Sequence, residues 1–276
     1  MTASSTPEPH HLGGVSAIFS DFDPIIHVLE GRDIRLYPVA DVHIGAAEAA
    51  LPEFEAFLRK VKDDPDAYVC IVGDLLNNAV KSSVSDVYRE TMSPSAAVDY
   101  AVEKLQPIAD RILAIVGGNH ERRSTKEVDL DPLYCVASML RRSDGSSLQD
   151  IYRPSMAFMR VKLKRGRVKD TYAIMMTHGK SQAKKKRFSA IVEGVDAQIY
   201  AHTHTPDVLK PARIRFNESN KVSIHDVVTL TACSWVNAGG YSLQGLFEPQ
   251  AVAQPQCLLL EFTNSNAIRG RLRVVW

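Results

Sequence analysis

Five short apolar segments recur between residues 34 and 204, and each ends in a cluster of polar residues. Their length and their content of β-branched and aromatic residues predict β-strands, whereas the longer stretches between them show the spacing of amphipathic helices. The five predicted strands are Ile34–Ala40, Tyr68–Val72, Ile112–Val116, Tyr172–Met176 and Gln198–Tyr200. Strands that alternate with helices predict an α/β fold.

The remaining segments extend this prediction. The expected helices are Glu48–Val61, Ala96–Ala109, Pro132–Leu140 and Arg187–Val195, and Met156–Met176 has the pattern of a hairpin that turns at Arg165 and Gly166. Three C-terminal segments have the pattern of successive strands, which predicts a second, more antiparallel sheet: Val222–Trp235, Gln256–Phe262 and Ile268–Trp276. Two mixed sheets flanked by helices would accommodate all of these elements.

The bulk properties of the chain are those of a soluble globular protein. Its 276 residues, 45% of them apolar, suit a single domain over residues 15–276. Residues 1–14 are expected to form a flexible tail, without the pattern of a signal peptide. No apolar run reaches the roughly 18 residues of a membrane span. Four widely spaced cysteines without a CxxC pair predict reduced thiols and a cytoplasmic location: Cys70, Cys135, Cys233 and Cys257.

The polar clusters that follow the five strands contain an unusual share of His, Asp and Asn. Ligands of open α/β sheets bind beyond the carboxyl ends of strands, so these clusters are expected to meet in one crevice. Asp41 and His43 are two positions apart, as are His202 and His204. In an extended segment, such pairs would point to the same side. Imidazole with carboxylate or amide oxygen suits Mn, Fe, Zn or Ni better than Ca, so the clusters predict a transition-metal site.

The order of these clusters resembles the calcineurin-like metallophosphoesterase superfamily. Asp-x-His at residue 41, Gly-Asp at 73, Gly-Asn-His-Glu at 118, His178 and His-x-His at 202 follow one another as they do in that family. A narrower likeness, to members encoded by phages and prophages, rests on Gly73–Pro94 and Ser234–Ser242. The resemblance implies a metallophosphoesterase-like sandwich of two mixed β-sheets flanked by helices.

The resemblance also implies a role for each matching residue. Two divalent transition-metal ions would be bound, with Mn favoured and Fe, Zn or Ni as alternatives. The first ion would be held by Asp41, His43 and His204, the second by Asn119, His178 and His202, and Asp74 would bridge them. A metal-bridging hydroxide would attack phosphorus, with His120 as the general acid. Glu121 is expected to orient His120, and Arg122 and Arg123 are candidates for binding the substrate phosphate.

Three positions depart from the family pattern without removing a metal ligand. Asn77 stands where many relatives carry an acidic residue, Glu121 where Asp is also common, and Ala201 where Gly usually precedes the first His of the last motif. Asn77 is expected to affect metal preference more than activity.

The substrate is predicted from local charge, since the net charge of +1 indicates no partner. Residues Arg160–Arg187 contain eleven Lys or Arg and one acid, Asp170, which favours a phosphodiesterase or nuclease acting on nucleic acid. A solvated hairpin and helix would have the same composition. A phosphomonoesterase acting on a nucleotide or a phosphoprotein is the alternative enzyme. An inactive binding scaffold is the alternative of another class, but such a scaffold would be expected to have lost metal ligands or His120. No membrane partner is expected.

Overall fold

The computed structural model describes residues 21–30, 33–81, 83, 87–216, 220–237, 239, 255–261 and 272–275. The predicted tail over residues 1–14 lies outside these ranges. Among the described residues, no helix is long and apolar enough to cross a membrane. All four cysteines are free thiols, as predicted.

The described ranges contain two six-stranded sheets, and the first of them includes the first three predicted strands. Its order is β14-β13-β2-β3-β4-β5. The strands are β2 (Ile34–Val39), β3 (Ala67–Val72), β4 (Ile112–Val116), β5 (Tyr152–Arg153), β13 (Cys257–Leu260) and β14 (Leu272–Val275). Strands β2 to β5 run parallel, whereas β13 pairs antiparallel with both β2 and β14. The carboxyl ends of the four parallel strands therefore lie at one edge of the sheet.

The second sheet has the order β1-β6-β7-β8-β12-β9. Its strands are β1 (Ile25–Glu30), β6 (Met156–Arg165), β7 (Val168–Thr177), β8 (Ala197–Tyr200), β9 (Asp207–Leu209) and β12 (Val228–Thr231). Strands β7, β8 and β12 are parallel to one another, and β6 with β7 forms the predicted hairpin. A separate two-stranded hairpin consists of β10 (Ala212–Phe216) and β11 (Val222–Asp226).

In the part of the chain that the structure describes, five α-helices lie outside the sheets. They are α1 (Leu51–Asp63), α2 (Pro94–Leu105), α3 (Glu121–Val128), α4 (Pro132–Met139) and α5 (Gln182–Ile191), with 3-10 turns at Val87–Arg89, Gln106–Arg111 and Gln149–Ile151. Three of the helices begin at a residue whose side chain accepts backbone N–H groups: Ser93 before α2, Asp131 before α4 and Ser181 before α5. Helix α1 buries Phe54 and Phe57, and both rings pack against Trp235.

One hydrophobic core joins the two sheets. It contains Ile71 and Ile115 from the first sheet and Ile174 and Ile199 from the second, all of them fully buried. Burial of such side chains is the main favourable contribution to folding. The predicted α/β sandwich of two mixed sheets flanked by helices is therefore confirmed.

Three details of the prediction were wrong. The three predicted C-terminal segments do not form one sheet. β11 pairs with β10 in the separate hairpin, β12 pairs with β8 in the second sheet, and β13 pairs with β2 in the first. Helix α3 follows the third polar cluster and was not predicted. Helix α5 begins at Gln182 rather than Arg187, because Ser181 provides its N-terminal cap.

Candidate metal centre

The five polar clusters meet where the carboxyl ends of strands from both sheets face one another. Asp41, Asp74 and Asn119 follow β2, β3 and β4 of the first sheet, whereas His178 and His202 follow β7 and β8 of the second. The backbone N–H of His202 donates to Asp41 Oδ2 at 3.0 Å, which ties the two sheets together at the site. The predicted convergence of independent loops on one crevice is thus what the structure shows.

The backbone at this site is strained. Among the described residues, eight that are not glycine have a positive φ, and five of these are predicted metal ligands: Asp41, His43, Asp74, His202 and His204. Left-handed conformations disfavour residues with a Cβ and concentrate at functional sites. The expectation that an extended backbone aligns Asp41 with His43 and His202 with His204 was wrong, because all four residues have a positive φ beyond the strand ends.

Two loops approach each other closely in front of the strands. A Cβ atom added to Gly118 would lie 2.3 Å from the backbone nitrogen of Asp74, and one added to Gly73, whose φ is +79°, would lie 2.6 Å from the Cα of Gly118. Only glycine therefore fits at these two positions. The close contact brings the loop of Asn119 against the loop of Asp74.

Three side chains form the first candidate metal-binding group: Asp41, His43 and His204. Asp41 Oδ1 lies 3.3 Å from His204 Nε2 and 3.7 Å from His43 Nε2, and the two imidazole nitrogens are 3.4 Å apart. Ligand atoms about 2.1 Å from one ion are separated by roughly 3.0–3.4 Å, close to these distances. The group fits one transition-metal ion.

The second group combines Asp74, His178 and His202, whose candidate ligand atoms all lie within 4.8 Å of one another. His178 Nδ1 lies 2.8 Å from the carbonyl oxygen of Val72, a position from which it donates a hydrogen bond. Its Nε2 faces the carboxylate of Asp74, 3.0 Å from Oδ2. Bonding of one imidazole nitrogen to a carbonyl is the usual way in which a metal-binding histidine is oriented.

Three buried atoms at the site have no hydrogen-bond partner among the described residues: Asp41 Oδ1, Asn119 Oδ1 and His178 Nε2. His178 Nε2 lies 3.0 Å from Asp74 Oδ2 without forming a hydrogen bond to it. Unsatisfied buried polar atoms are costly, so their concentration fits residues that can hold a metal ion. Each belongs to a predicted metal ligand, and the donor set is one that a transition metal accepts.

The charges of the site favour ionised carboxylates. Burial alone would raise the pKa of Asp41, but the imidazoles of His204 and His178 outweigh it and hold that pKa well below its usual value. For Asp74, burial is likewise outweighed, mainly by His178, and the pKa is lowered. Both side chains are therefore anionic at neutral pH, which is the form that binds a metal.

His120 lies beside both groups and contacts Arg123. Its Nδ1 lies 2.8 Å from the carbonyl oxygen of Asn77, and its Nε2 is 2.9 Å from a guanidinium nitrogen of Arg123. Burial, followed by the neighbouring His43, lowers the pKa of His120 to about 3. Neutral His120 therefore accepts a hydrogen bond from Arg123 at Nε2. A general-acid role requires a proton on that atom, so Arg123 must first turn towards another acceptor such as a phosphate oxygen.

Glu121 does not contact the His120 ring in the way that the sequence suggested. Its buried carboxylate accepts hydrogen bonds from three backbone N–H groups, those of Asp74 at 3.1 Å, Leu76 at 3.0 Å and Gly118 at 3.0 Å. No hydrogen bond joins it to His120 within the described part of the chain. The expected orienting contact is therefore absent, and Glu121 instead holds together the two loops that carry Asp74 and Asn119.

A contact that the sequence did not predict lies behind His43. The Nδ1 atom of His43 is 3.3 Å from Asn77 Oδ1, and the amide nitrogen of Asn77 donates to the carboxylate of Glu90. Glu90 lies in a loop held against Gly45, since the backbone N–H of Thr91 donates to the Gly45 carbonyl at 2.8 Å. Glu90 is 13 positions from Asn77. It lies in the stretch Gly73–Pro94 that carries the narrower family likeness, but nothing in that likeness assigned it a role.

The basic stretch over residues 160–187 divides into two parts. The turn of the β6–β7 hairpin lies far from the site, because Lys169 precedes His178 by nine residues, about 30 Å of extended strand. Of the cations that follow His178, Lys180 and Lys184 border the site, and Lys185 beside them is buried against Asp207 and Thr231. The two parts of the basic stretch therefore have different positions relative to the site. Arg122, a candidate phosphate ligand, donates at 3.1 Å to the carbonyl of Pro154.

A sequence profile described as Calcineurin-like phosphoesterase matches residues 34–206, whereas no curated protein matches the chain. Three solved structures are similar at low identity. An NAD nucleotidase of Haemophilus influenzae has a TM-score of 0.40 and 10% identity over 87% of this chain and 49% of its own. A phosphatase of Mycoplasma pneumoniae has a TM-score of 0.36 and 11% identity over 88% of this chain and 93% of its own. A serine/threonine phosphatase of Saccharomyces cerevisiae has a TM-score of 0.30 and 12% identity over 91% of this chain and 88% of its own. This chain spans about half the length of the nucleotidase.

Proposed function

This chain belongs to the calcineurin-like phosphoesterase family, and on that premise we propose that it is a hydrolase that cleaves phosphodiesters with two divalent transition-metal ions bound. Manganese is the favoured metal, with Fe, Zn and Ni as alternatives, because the donors are imidazole nitrogens and carboxylate or amide oxygens. The narrower likeness to phage-encoded members stays a prediction.

The observation that carries this proposal is the set of three buried, unpaired ligand atoms on Asp41, Asn119 and His178. In the proposed arrangement Asp41, His43 and His204 hold one ion, Asn119, His178 and His202 hold the other, and Asp74 lies between the two groups. When bound, two such ions lower the pKa of a bound water and neutralise phosphate charge. An inactive scaffold would have no reason to keep these atoms unpaired in its interior.

The remaining residues of the site bind and orient the substrate. Arg123 presents a guanidinium that can pair with a phosphate oxygen in two parallel hydrogen bonds. When Arg123 makes that pairing, Nε2 of His120 is released and can carry the proton that the leaving oxygen needs. Glu121 keeps the loops of Asp74 and Asn119 in contact during this exchange.

Preference for a diester rests on the cations that follow His178. Lys180 and Lys184 are exposed beside the site. Positive charge next to the reacting phosphate favours a substrate that carries further phosphates. A phosphomonoesterase would use the same metal ligands and differ only in how the rest of the substrate is bound.

The test is hydrolysis of bis(p-nitrophenyl) phosphate against p-nitrophenyl phosphate. Protein stripped with a chelator is assayed without metal and after addition of Mn, Fe, Zn or Ni. We expect activity only with metal, and faster cleavage of the diester. The variant Asp41→Asn should lose activity and bind less metal, whereas Asp144→Asn at an exposed turn should match the wild type. Full activity after chelation would contradict metal dependence, and faster cleavage of the monoester would favour the phosphatase alternative.

A further inference from the structure

A cavity of about 250 Å³ opens beside two of the proposed metal ligands, Asn119 and His178. One side is formed by the loop after β4 together with the start of β6, and the other by the turn after β7 and by helix α5. Because Asn119 and His178 border it, a phosphoester bound at the metal centre would extend directly into this space.

The cavity carries an excess of positive charge. Four of its lining side chains are cationic, and none is acidic: Arg122, Lys180, Lys184 and Lys185. Lys185 is already engaged, since its Nζ donates to Asp207 at 3.2 Å and to Thr231 at 2.6 Å. Lys180 and Lys184 are exposed and make no ion pair within the described ranges. Two such ammonium groups beside a phosphoester site favour a second anion.

The same cavity has an apolar wall made by Met156, Phe188 and Tyr200. The hydroxyl of Tyr200 donates to Gln198 Oε1 at 3.1 Å, so this residue offers only its ring. Phe188 is half-buried on the inner side of α5, one turn beyond Lys184. An aromatic ring next to free cations is the combination that binds a base together with its phosphate.

We propose that this cavity binds a nucleoside phosphate unit attached to the scissile phosphate, with Lys180 and Lys184 on the second phosphate and Phe188 against the base. The inference rests on the proposed function and names its substrate class. A phosphoserine peptide would supply neither the second phosphate nor the flat ring. The unit could come from a nucleic-acid strand or from a free nucleotide.

The activity test uses three substrates that release the same nitrophenol. They are bis(p-nitrophenyl) phosphate, the p-nitrophenyl ester of thymidine 5′-phosphate, and that ester with a further 3′-phosphate. We expect the wild type to prefer the third. In the double variant Lys180→Ala/Lys184→Ala, the preference for the third substrate over the second should fall at least about tenfold, which corresponds to the loss of one charged hydrogen bond. Phe188→Ala should reduce the preference for both thymidine esters over the first.

A matched control removes the same charge from two neighbouring positions of α5. Lys186 and Arg187 are exposed and do not line the cavity, so Lys186→Ala/Arg187→Ala should leave all three rates at the wild-type values. Equal loss of preference in the two double variants would show that only general charge matters and would overturn the proposal. Absence of any preference in the wild type would overturn it too.

Binding separates this proposal from the proposed function. The dissociation constant of thymidine 3′,5′-bisphosphate is measured by calorimetry with and without Mn. It should rise at least about tenfold in Lys180→Ala/Lys184→Ala and stay unchanged in the control variant. If this holds but no substrate is hydrolysed, the cavity is right and the proposed function is wrong. If the substrates are hydrolysed but all variants bind the bisphosphate equally, the proposed function holds and the proposal for the cavity is wrong. Tighter binding of tetrathymidylate than of the bisphosphate would identify a strand as the source, and equal binding a free nucleotide.

Discussion

The carboxylate of Glu90 accepts a hydrogen bond from the side-chain amide of Asn77. Since the carbonyl oxygen of that amide lies 3.3 Å from His43 Nδ1, the amide connects the imidazole of a proposed metal ligand to a carboxylate. The family resemblance leads one to expect an acidic residue at the position of Asn77. Here the negative charge is one side chain further away, on a loop held to Gly45.

We expect Glu90→Gln to weaken metal binding because the charge that polarises Asn77 and His43 is lost. Partners of metal-binding histidines typically contribute a factor of about 10–100 to affinity, and a more distant one should lie near the lower value. Calorimetric titration of the chelator-stripped protein with Mn measures the metal affinity. The control is Glu48→Gln, which removes an acid from the same region that pairs with Arg89 instead. Equal affinities in the two variants would show that Glu90 does not act through Asn77.

Glu121→Gln should destabilise the protein. The carboxylate accepts three backbone hydrogen bonds, whereas a glutamine has one acceptor oxygen and would turn an N–H group towards another donor. An unsatisfied buried donor costs about 1–3 kcal/mol. Thermal or urea unfolding should show this loss, and the exposed Glu193→Gln should not. Wild-type stability of Glu121→Gln would mean that these contacts are dispensable.

His120→Asn should keep both metals and slow the cleavage of substrates with poor leaving groups by ~10²–10⁴-fold, the usual contribution of a general acid. Nitrophenyl esters should lose less, because nitrophenolate leaves without a proton. The rates on a dinucleotide and on a nitrophenyl ester are compared, with metal content checked by elemental analysis. Equal losses on both substrates would assign His120 to phosphate binding.

Lys185→Met should lower stability, although it lies among lysines that sequence alone treats as equivalent. Its buried Nζ satisfies Thr231 Oγ1 and Asp207, so its removal should cost about 1–3 kcal/mol. The neighbouring Lys186 is exposed, so Lys186→Met should change the free energy of unfolding by less than about 0.5 kcal/mol. Comparison of the two unfolding curves decides whether α5 is anchored through Lys185.

Much of the fold was predictable because the predicted elements have strong local patterns. The five strand segments and α1, α2 and α4 follow from apolar periodicity, and the carboxyl-end rule places their polar clusters in one crevice. The pairing of the C-terminal strands was not predictable, because β12 and β13 have no local feature that selects the sheet they join. That choice is made by long-range packing in the shared core.

Within the site, the sequence alone determined which residues can bind metal, since His, Asp and Asn at strand ends have that chemistry in any geometry. Three features of the site arise only from tertiary structure. They are the positive φ values at Asp41, His43, His202 and His204, the three backbone N–H groups bound by Glu121, and the contact of Asn77 with Glu90. The basic stretch shows the same limit. Charge is a property of sequence, but burial of Lys185 and the distance of the β6–β7 turn from His178 depend on how strands and helices pack. Hydrogen-bond partners and burial are set by residues distant in the chain, so local patterns cannot encode them.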